Sequence, residues 1–201
     1  KRDKCFFAAV QVKYLGLKVS HAGVEVDDEK IASVRQALPP TNKTGLHRFL
    51  GMTGFYRKFI PTYAKVAAPL TKYLKGDRDD TFELDAEAIR AHEKLKLAVT
   101  SAPVLALPNK EGEYVLETDA SASQLGVQLL QLQPDGSSRP LGFWSRNCNP
   151  AELNYSPTER EALAIVWGIK KCRPYLERTK FVVRSDHQAL RWLFSTSSTD
   201  G

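Results

Sequence analysis

Between Glu113 and Phe194 the chain runs through a fixed order of segments: three strand-like stretches, a long helix, a fourth strand and the start of a second helix. The strands read as Glu113 to Thr118, Gly126 to Leu132 and Pro140 to Ser145, with Pro134-Asp135-Gly136-Ser137 turning the second into the third. The helix opens at Ser156-Pro157-Thr158-Glu159, where a capping serine, a first-turn proline and a glutamate three residues after the cap coincide. It runs through Leu163, Val166 and Trp167 to about Arg173, because Pro174 follows. Phe181 to Asp186 is the fourth strand, and Gln188 to Phe194 begins the second helix. This order predicts three antiparallel strands with helices packed on the sheet, a mixed α/β class.

Three acids hold special places in that order. Asp119 ends the first strand, Glu161 lies in the first turns of the long helix, and Asp186 ends the fourth strand. Each has a local use by itself: Asp119 in a turn with Ser121, Asp186 as a helix cap, Glu161 as a solvated helix residue. Jointly they lay out a metal site, since acids at the ends of neighbouring strands and on the covering helix can converge. An all-oxygen set of this kind suits magnesium or manganese, which take their remaining ligands from water and phosphate. Of the two neighbouring glutamates, Glu159 stands where a capping box needs it, whereas Glu161 shares the sheet-facing side of the helix with Ile165 and Gly168. His187, beside Asp186 at a helix start, reads as a local hydrogen-bonding residue.

The first part of the chain is different in kind. Phe6 to Val12 and Lys13 to Val19 alternate as strands and break at His21-Ala22-Gly23, which predicts a hairpin. A helix from Asp27-Asp28 carries Ile31, Val34 and Leu38 and stops at Pro39-Pro40. Helical spacing returns from Thr44 to Ile60 and from Pro61 to Leu74, as packed antiparallel helices. No acid occurs between Ile31 and Gly76, so Arg35, Lys43, Arg48, Arg57, Lys58, Lys65, Lys72 and Lys75 have no opposing charge within the stretch. With a net charge of +6 over 201 residues, polyanions are the first partners to consider. Gly76-Asp77-Arg78-Asp79-Asp80 is the clearest boundary, and a helix follows from Asp85 to Val99.

Cys5, Cys148 and Cys172 are too far apart for a zinc spacing and odd in number, which fits a reducing, intracellular setting. No apolar run reaches the roughly 18 residues of a membrane helix.

Several motifs resemble a known family. Leu116-Glu117-Thr118-Asp119-Ala120-Ser121 with Leu125-Gly126, then Asn154 to Glu161 with Leu163-Ala164-Ile165-Val166, then Ser185-Asp186-His187-Gln188-Ala189-Leu190, are similar to the RNase H domain of gypsy-type LTR retrotransposon Pol polyproteins. Upstream, Tyr14-Leu15-Gly16, Phe49 to Ile60 and Ser101-Ala102-Pro103-Val104-Leu105 resemble the thumb and linker of the same reverse transcriptase. The resemblance implies an RNase H-like sheet with packed helices over 110–201, a linker over 77–109, a small helical thumb-like domain over 23–76, and the end of the polymerase palm over 1–22. It also implies that Asp119, Glu161 and Asp186 are three of four metal-binding carboxylates. Two Mg2+ ions, or Mn2+, would then hydrolyse the RNA strand of an RNA/DNA hybrid, recognised by its shape and 2′-hydroxyls. Arg48, Arg57, Lys58, Lys65 and Lys72 would hold the backbone of the template-primer duplex, with the rest of the Pol polyprotein as further partner and no membrane involved.

The chain departs from that family in ways that bear on activity. It stops at Gly201, so the last strand, final helix and fourth carboxylate are expected beyond it, the RNase H unit reads as truncated, and Asp200 is too near Asp186 to substitute. Without that last strand, Phe181 to Ser185 is expected to be an open sheet edge. The polymerase YxDD box is absent, and His47 stands where the family usually has arginine. The alternative reading is a decayed or domesticated relative that binds nucleic acid without cutting. A DDE integrase fits less well, because integrases place the glutamate last and here Glu161 precedes Asp186.

Overall fold

A computed structural model of the chain describes residues 8–75, 81–109, 111–188 and 190. The chain forms two compact units, one of Lys1–Ile60 with Val66–Leu107 and the other of Pro61–Lys65 with Pro108–Gly201.

The first unit opens with a three-stranded antiparallel sheet in the order β1 (Gln11–Tyr14), β2 (Leu17–Ser20), β3 (Gly23–Val26). The expected break at His21 is one of two, and the first falls earlier. Leu15 and Gly16 adopt φ of 50° and 79°, a two-residue turn whose twist matches the strands it joins. The third strand goes beyond the expected hairpin; it pairs antiparallel with β2 along its whole length, and on its other side Val24 exchanges backbone hydrogen bonds of 2.7 and 2.8 Å with Leu105. A side chain at Gly23 would collide with the Leu105 carbonyl, its Cβ falling 2.1 Å from that oxygen. The part of the first expected strand before Ala8 lies outside the described residues.

Helix α1 (Asp28–Arg35) ends short of the expected Leu38, which is 84% exposed. Proline at 39 and 40 disfavours helical backbone just ahead of it, and Gln36 already caps the helix. Helix α2 (Lys43–Phe55) starts on Asn42, whose side chain accepts a 2.7 Å bond from the Gly45 N–H. A 3-10 turn at Arg57–Phe59, helix α3 (Tyr63–Thr71) and another turn at Lys72–Leu74 follow, then α4 (Ala86–Thr100), capped by Asp85. Val34, Leu46, Phe49, Leu70, Leu95 and Val99 form the core, with His92 fully buried and stacked 4.2 Å from Phe49.

The second unit is a four-stranded sheet in the order β6 (Ser138–Asn147), β5 (Gln124–Leu132), β4 (Tyr114–Ala120), β7 (Phe181–Arg184). The first three strands are antiparallel, as expected, and β7 joins β4 in parallel with Glu117 opposite Arg184. Among the described residues β7 pairs on one side only, held there also by an Arg184–Glu117 ion pair of 3.3 Å.

Helix α5 (Pro157–Leu176) lies on this sheet through Glu161, Ala164, Ile165, Gly168 and Cys172. Gly168 makes the close approach feasible: a Cβ there would stand 3.0 Å from Val127 and 3.4 Å from Leu116. The capping box is present in both directions, Glu159 N–H to Ser156 Oγ at 3.3 Å and Ser156 N–H to Glu159 Oε2 at 2.7 Å. Pro174 does not end the helix at Arg173 as expected; it sits in the last turn, and the chain stays helical to Leu176. Strand β7 likewise stops at Arg184, leaving Asp186 in a bend. Gln188 and Leu190 are helical, and the remainder of the expected second helix lies outside the described residues. No helix among the described residues is long and apolar enough to cross a membrane.

Candidate functional site

Strands β4 and β7 run parallel, so their C-terminal ends lie at the same end of the sheet. Asp119 is the next-to-last residue of β4 and is exposed; Asp186 follows β7 by two residues and is also exposed. Glu161 reaches this end from the first turns of α5. Its Oε1 accepts a 3.2 Å bond from the Ala120 N–H, the residue after Asp119. The side chain is 7% exposed, and its Oε2 is buried without a hydrogen-bond partner.

Burial first, then the charges of Asp186 and Asp119, push the Glu161 carboxyl above its ordinary pKa, while its bond from Ala120 and the nearby His187 oppose the shift. Glu161 therefore feels the charge of both other acids. Among the described residues no group of three His, Cys, Asp or Glu side chains is placed to hold a metal ion. The donor set fits a hard divalent cation in two respects. All its atoms are oxygens, and a buried carboxylate oxygen without a hydrogen donor, repelled by two neighbouring acids, is the kind of group that a cation stabilises.

The Asp186 bend is tied down by its neighbours. The His187 N–H donates to Ser185 Oγ at 3.2 Å, and the His187 ring Nε2 lies 2.9 Å from the Thr158 hydroxyl on α5. The expected local hydrogen-bonding role of His187 is what the geometry displays. Thr158, its partner, is not among the residues singled out from sequence; the available signal is its position three residues before Glu161, on the same side of the helix.

On the opposite face of the sheet from α5, a cavity of about 290 Å3 is lined by Pro61, Thr62, Glu117, Asp119, Gln128 and Phe143. The Pro61–Lys65 segment is held there by a 2.9 Å bond from the Ala64 N–H to Ser145 Oγ. Lys65 and Asp119 line one smaller cavity together with Gln124 and Ser145. Of the five basic residues expected to touch nucleic acid, Lys65 thus belongs to the second unit and the other four to the first.

In the first unit Arg48, Arg57 and Lys58 are exposed, on α2 and the turn after it. Lys72 corrects the reading of an unopposed basic set. Its ammonium lies 2.8 Å from Asp85 and 3.3 Å from Glu87, acids that stand beyond the acid-free stretch and fold back onto it. Sequence reasoning also passes over the outward side of α2. Arg48, Gly51 and Phe55 fall at i, i+3 and i+7, Gly51 has open space where a Cβ would stand, and Phe55 is 54% exposed. An exposed aromatic beside a helix-interior glycine is the signal.

Comparison with known proteins agrees with this architecture. The family described as the RNase H-like domain found in reverse transcriptase matches residues 84–183. The Pol polyprotein of transposon 297 from Drosophila melanogaster is 44% identical over 192 residues, covering 95% of this chain and 18% of that protein. That of transposon opus, from the same organism, is 37% identical, with 94% and 20% covered. The Tf2-3 polyprotein of Schizosaccharomyces pombe is 36% identical, with 93% and 14% covered. The chain therefore spans a fifth or less of the length of these relatives. Among solved structures, the foamy viral protease-reverse transcriptase in complex with RNA/DNA hybrid shares the fold at a TM-score of 0.78 and 18% identity, covering 98% of this chain and 29% of that one. Its complex with dsDNA gives 0.76 and 18%, covering 96% and 43%. Fold, motif order and relatives converge on one assignment: the chain belongs to the Pol polyproteins of gypsy-type LTR retrotransposons and carries their RNase H-like domain.

Proposed function

We propose that this chain is the part of an intracellular retrotransposon reverse transcriptase that holds a template-primer duplex and hydrolyses the RNA strand of RNA/DNA hybrids. The observation that carries the reading is Glu161: a buried carboxylate, anchored beside Asp119, with one oxygen unpartnered and two further acids acting on it. Such a group is costly to keep charged unless a cation completes it.

Asp119, Glu161 and Asp186 would hold two magnesium or manganese ions, which supply an activated water and charge stabilisation at the leaving 3′ oxygen. The residues' own task is arrangement. The capping box fixes the first turn of α5, the Ala120 N–H fixes one oxygen of Glu161, and the parallel β4–β7 pair brings Asp186 to the same sheet end as Asp119. In the first unit, Arg48, Arg57 and Lys58 would contact backbone phosphates, and the bare side of α2 at Gly51 leaves room for a groove to approach Phe55. Lys65 would act next to Asp119, and Lys72 in part through Asp85 and Glu87. The partners are the hybrid, the duplex and the remainder of the polyprotein.

The direct test is cleavage of an RNA/DNA hybrid by the chain within its complete polyprotein product, with and without magnesium, beside Asp119→Asn. Magnesium-dependent cutting of RNA only, lost in the variant, is the expected result. Hybrid binding with no cutting under any divalent ion would replace this reading with that of a binding-only relative.

A further inference from the structure

Asp119 and Asp186 both act on Glu161 through their charge, and of the three acids Asp186 is the least well held by the backbone. Strand β7 pairs with β4 only as far as Arg184, so the ladder does not reach Asp186. Asp119, by contrast, lies inside the β4–β5 register opposite Gly126, and Glu161 is fixed by α5 and by the Ala120 N–H.

What spans the gap is the 2.9 Å contact between the Thr158 hydroxyl and Nε2 of His187, residues 29 apart in sequence. Thr158 stands one helical turn before Glu161, in the turn that the Ser156–Glu159 box makes rigid. The His187 N–H is bonded in turn to Ser185 Oγ, which closes the bend around Asp186. We propose that Thr158 and His187 form a clasp that holds the Asp186 bend against the Glu161 turn of α5, and so sets the spacing of the acid cluster for a divalent cation. They are positioning residues: neither needs to touch the ion or the substrate. The inference rests on the metal-site reading above and adds which residues keep that site assembled.

One hydrogen bond at an exposed place contributes modestly, so its loss is expected to weaken cation binding roughly three- to ten-fold. The test uses Mn2+ titrated into the full chain without nucleic acid, followed by loss of the free-ion paramagnetic resonance signal. Thr158→Val should weaken binding by that factor, while Thr158→Ser, which keeps the hydroxyl, should stay within about two-fold of wild type. His187→Ala should weaken binding in the wild-type background and have no further effect on Thr158→Val. His187→Gln, whose amide reaches a similar distance, should restore part of the loss. Amide exchange of residues 185–188 in the metal-free protein should quicken in Thr158→Val. Unchanged Mn2+ affinity and exchange in Thr158→Val, or additive effects of the two substitutions, overturns the clasp. Asp119→Asn separates the two levels. If it abolishes Mn2+ binding while Thr158→Val leaves it intact, only the clasp falls; if it leaves binding unaltered, the metal-site reading falls and takes the clasp with it.

Discussion

The backbone N–H of Ala120 donates a 3.2 Å hydrogen bond to Glu161, joining the end of β4 to the first turns of α5 across 41 residues. That bond sets a carboxylate beside Asp119 in a place with little water. Its energetic consequence is that Glu161 is held against the charge of its neighbours, which links stability to pH and, if the site takes a divalent cation as proposed, to that ion as well.

Glu161→Gln keeps the acceptor for Ala120 and removes the charge. The folded state raises the Glu161 pKa, so the stability linked to its proton is complete below 4.5, the free-carboxyl value, and is lost as pH rises through the folded value. Thermal melts of the second unit should therefore show the variant more stable than wild type near pH 7. The difference should shrink to nothing below 4.5. Magnesium should raise the wild-type melting temperature and leave the variant's unchanged.

At the helix–sheet interface Gly168 is under steric rather than chemical constraint. Gly168→Ala gains about 1 kcal/mol of helix propensity but pushes on Val127 at 3.0 Å and Leu116 at 3.4 Å. Overpacking costs about 1–3 kcal/mol, so a net loss on the order of 1 kcal/mol is expected by urea unfolding. Adding Val127→Ala should recover part of it; equal stability of Gly168→Ala and wild type would show that the sheet yields freely there.

In the first unit, Asp85 pairs with Lys72 and caps α4 by accepting a 2.8 Å bond from the Ala88 N–H, and the two, Lys72 foremost, lower its pKa to about 2. A depressed carboxylate stabilises above its unfolded pKa of 3.8, and the effect is lost as pH falls through about 2. Asp85→Asn keeps the cap and loses the ion pair, whereas Asp85→Ala loses both. Melting temperatures at pH 7 should fall in the order wild type, Asn, Ala, and the gap between wild type and Asn should close in acid.

If the first unit grips a duplex as proposed, its charges and its exposed aromatic separate by salt. The pair Arg57→Glu with Lys58→Glu should weaken hybrid binding and flatten the slope of log affinity against log salt by about 0.9 for each phosphate left without its cationic partner. Phe55→Ala should weaken binding with that slope retained. A slope unchanged by the charge reversals argues against phosphate binding by that turn.

The helices and strands were largely legible because their signals are short-range. The Ser156–Glu159 box, the turn at Pro134–Ser137 and the apolar spacing that puts Glu161, Ile165 and Gly168 on one side of α5 all act within a few residues, and each stands in the structure as the sequence predicts. Signals that depend on a distant partner are harder to read. Gly23 looks like a simple break until Leu105 arrives to pair with Val24; Pro174 looks like a helix stop, although its place in the last turn lets the helix continue; Lys72 looks unopposed until α4 presents Asp85 and Glu87.

The sequence by itself determined which residue types bear chemistry and on which element each sits, because periodicity, caps and turns are encoded in neighbours along the chain. Tertiary structure alone decided that β7 pairs with β4, and therefore that Asp186 shares a sheet end with Asp119, that Ala120 reaches Glu161, and that Thr158 meets His187. The physical reason is that strand order arises from burying the sheet under α5 as a whole, a choice among pairings that no local pattern of residues can express.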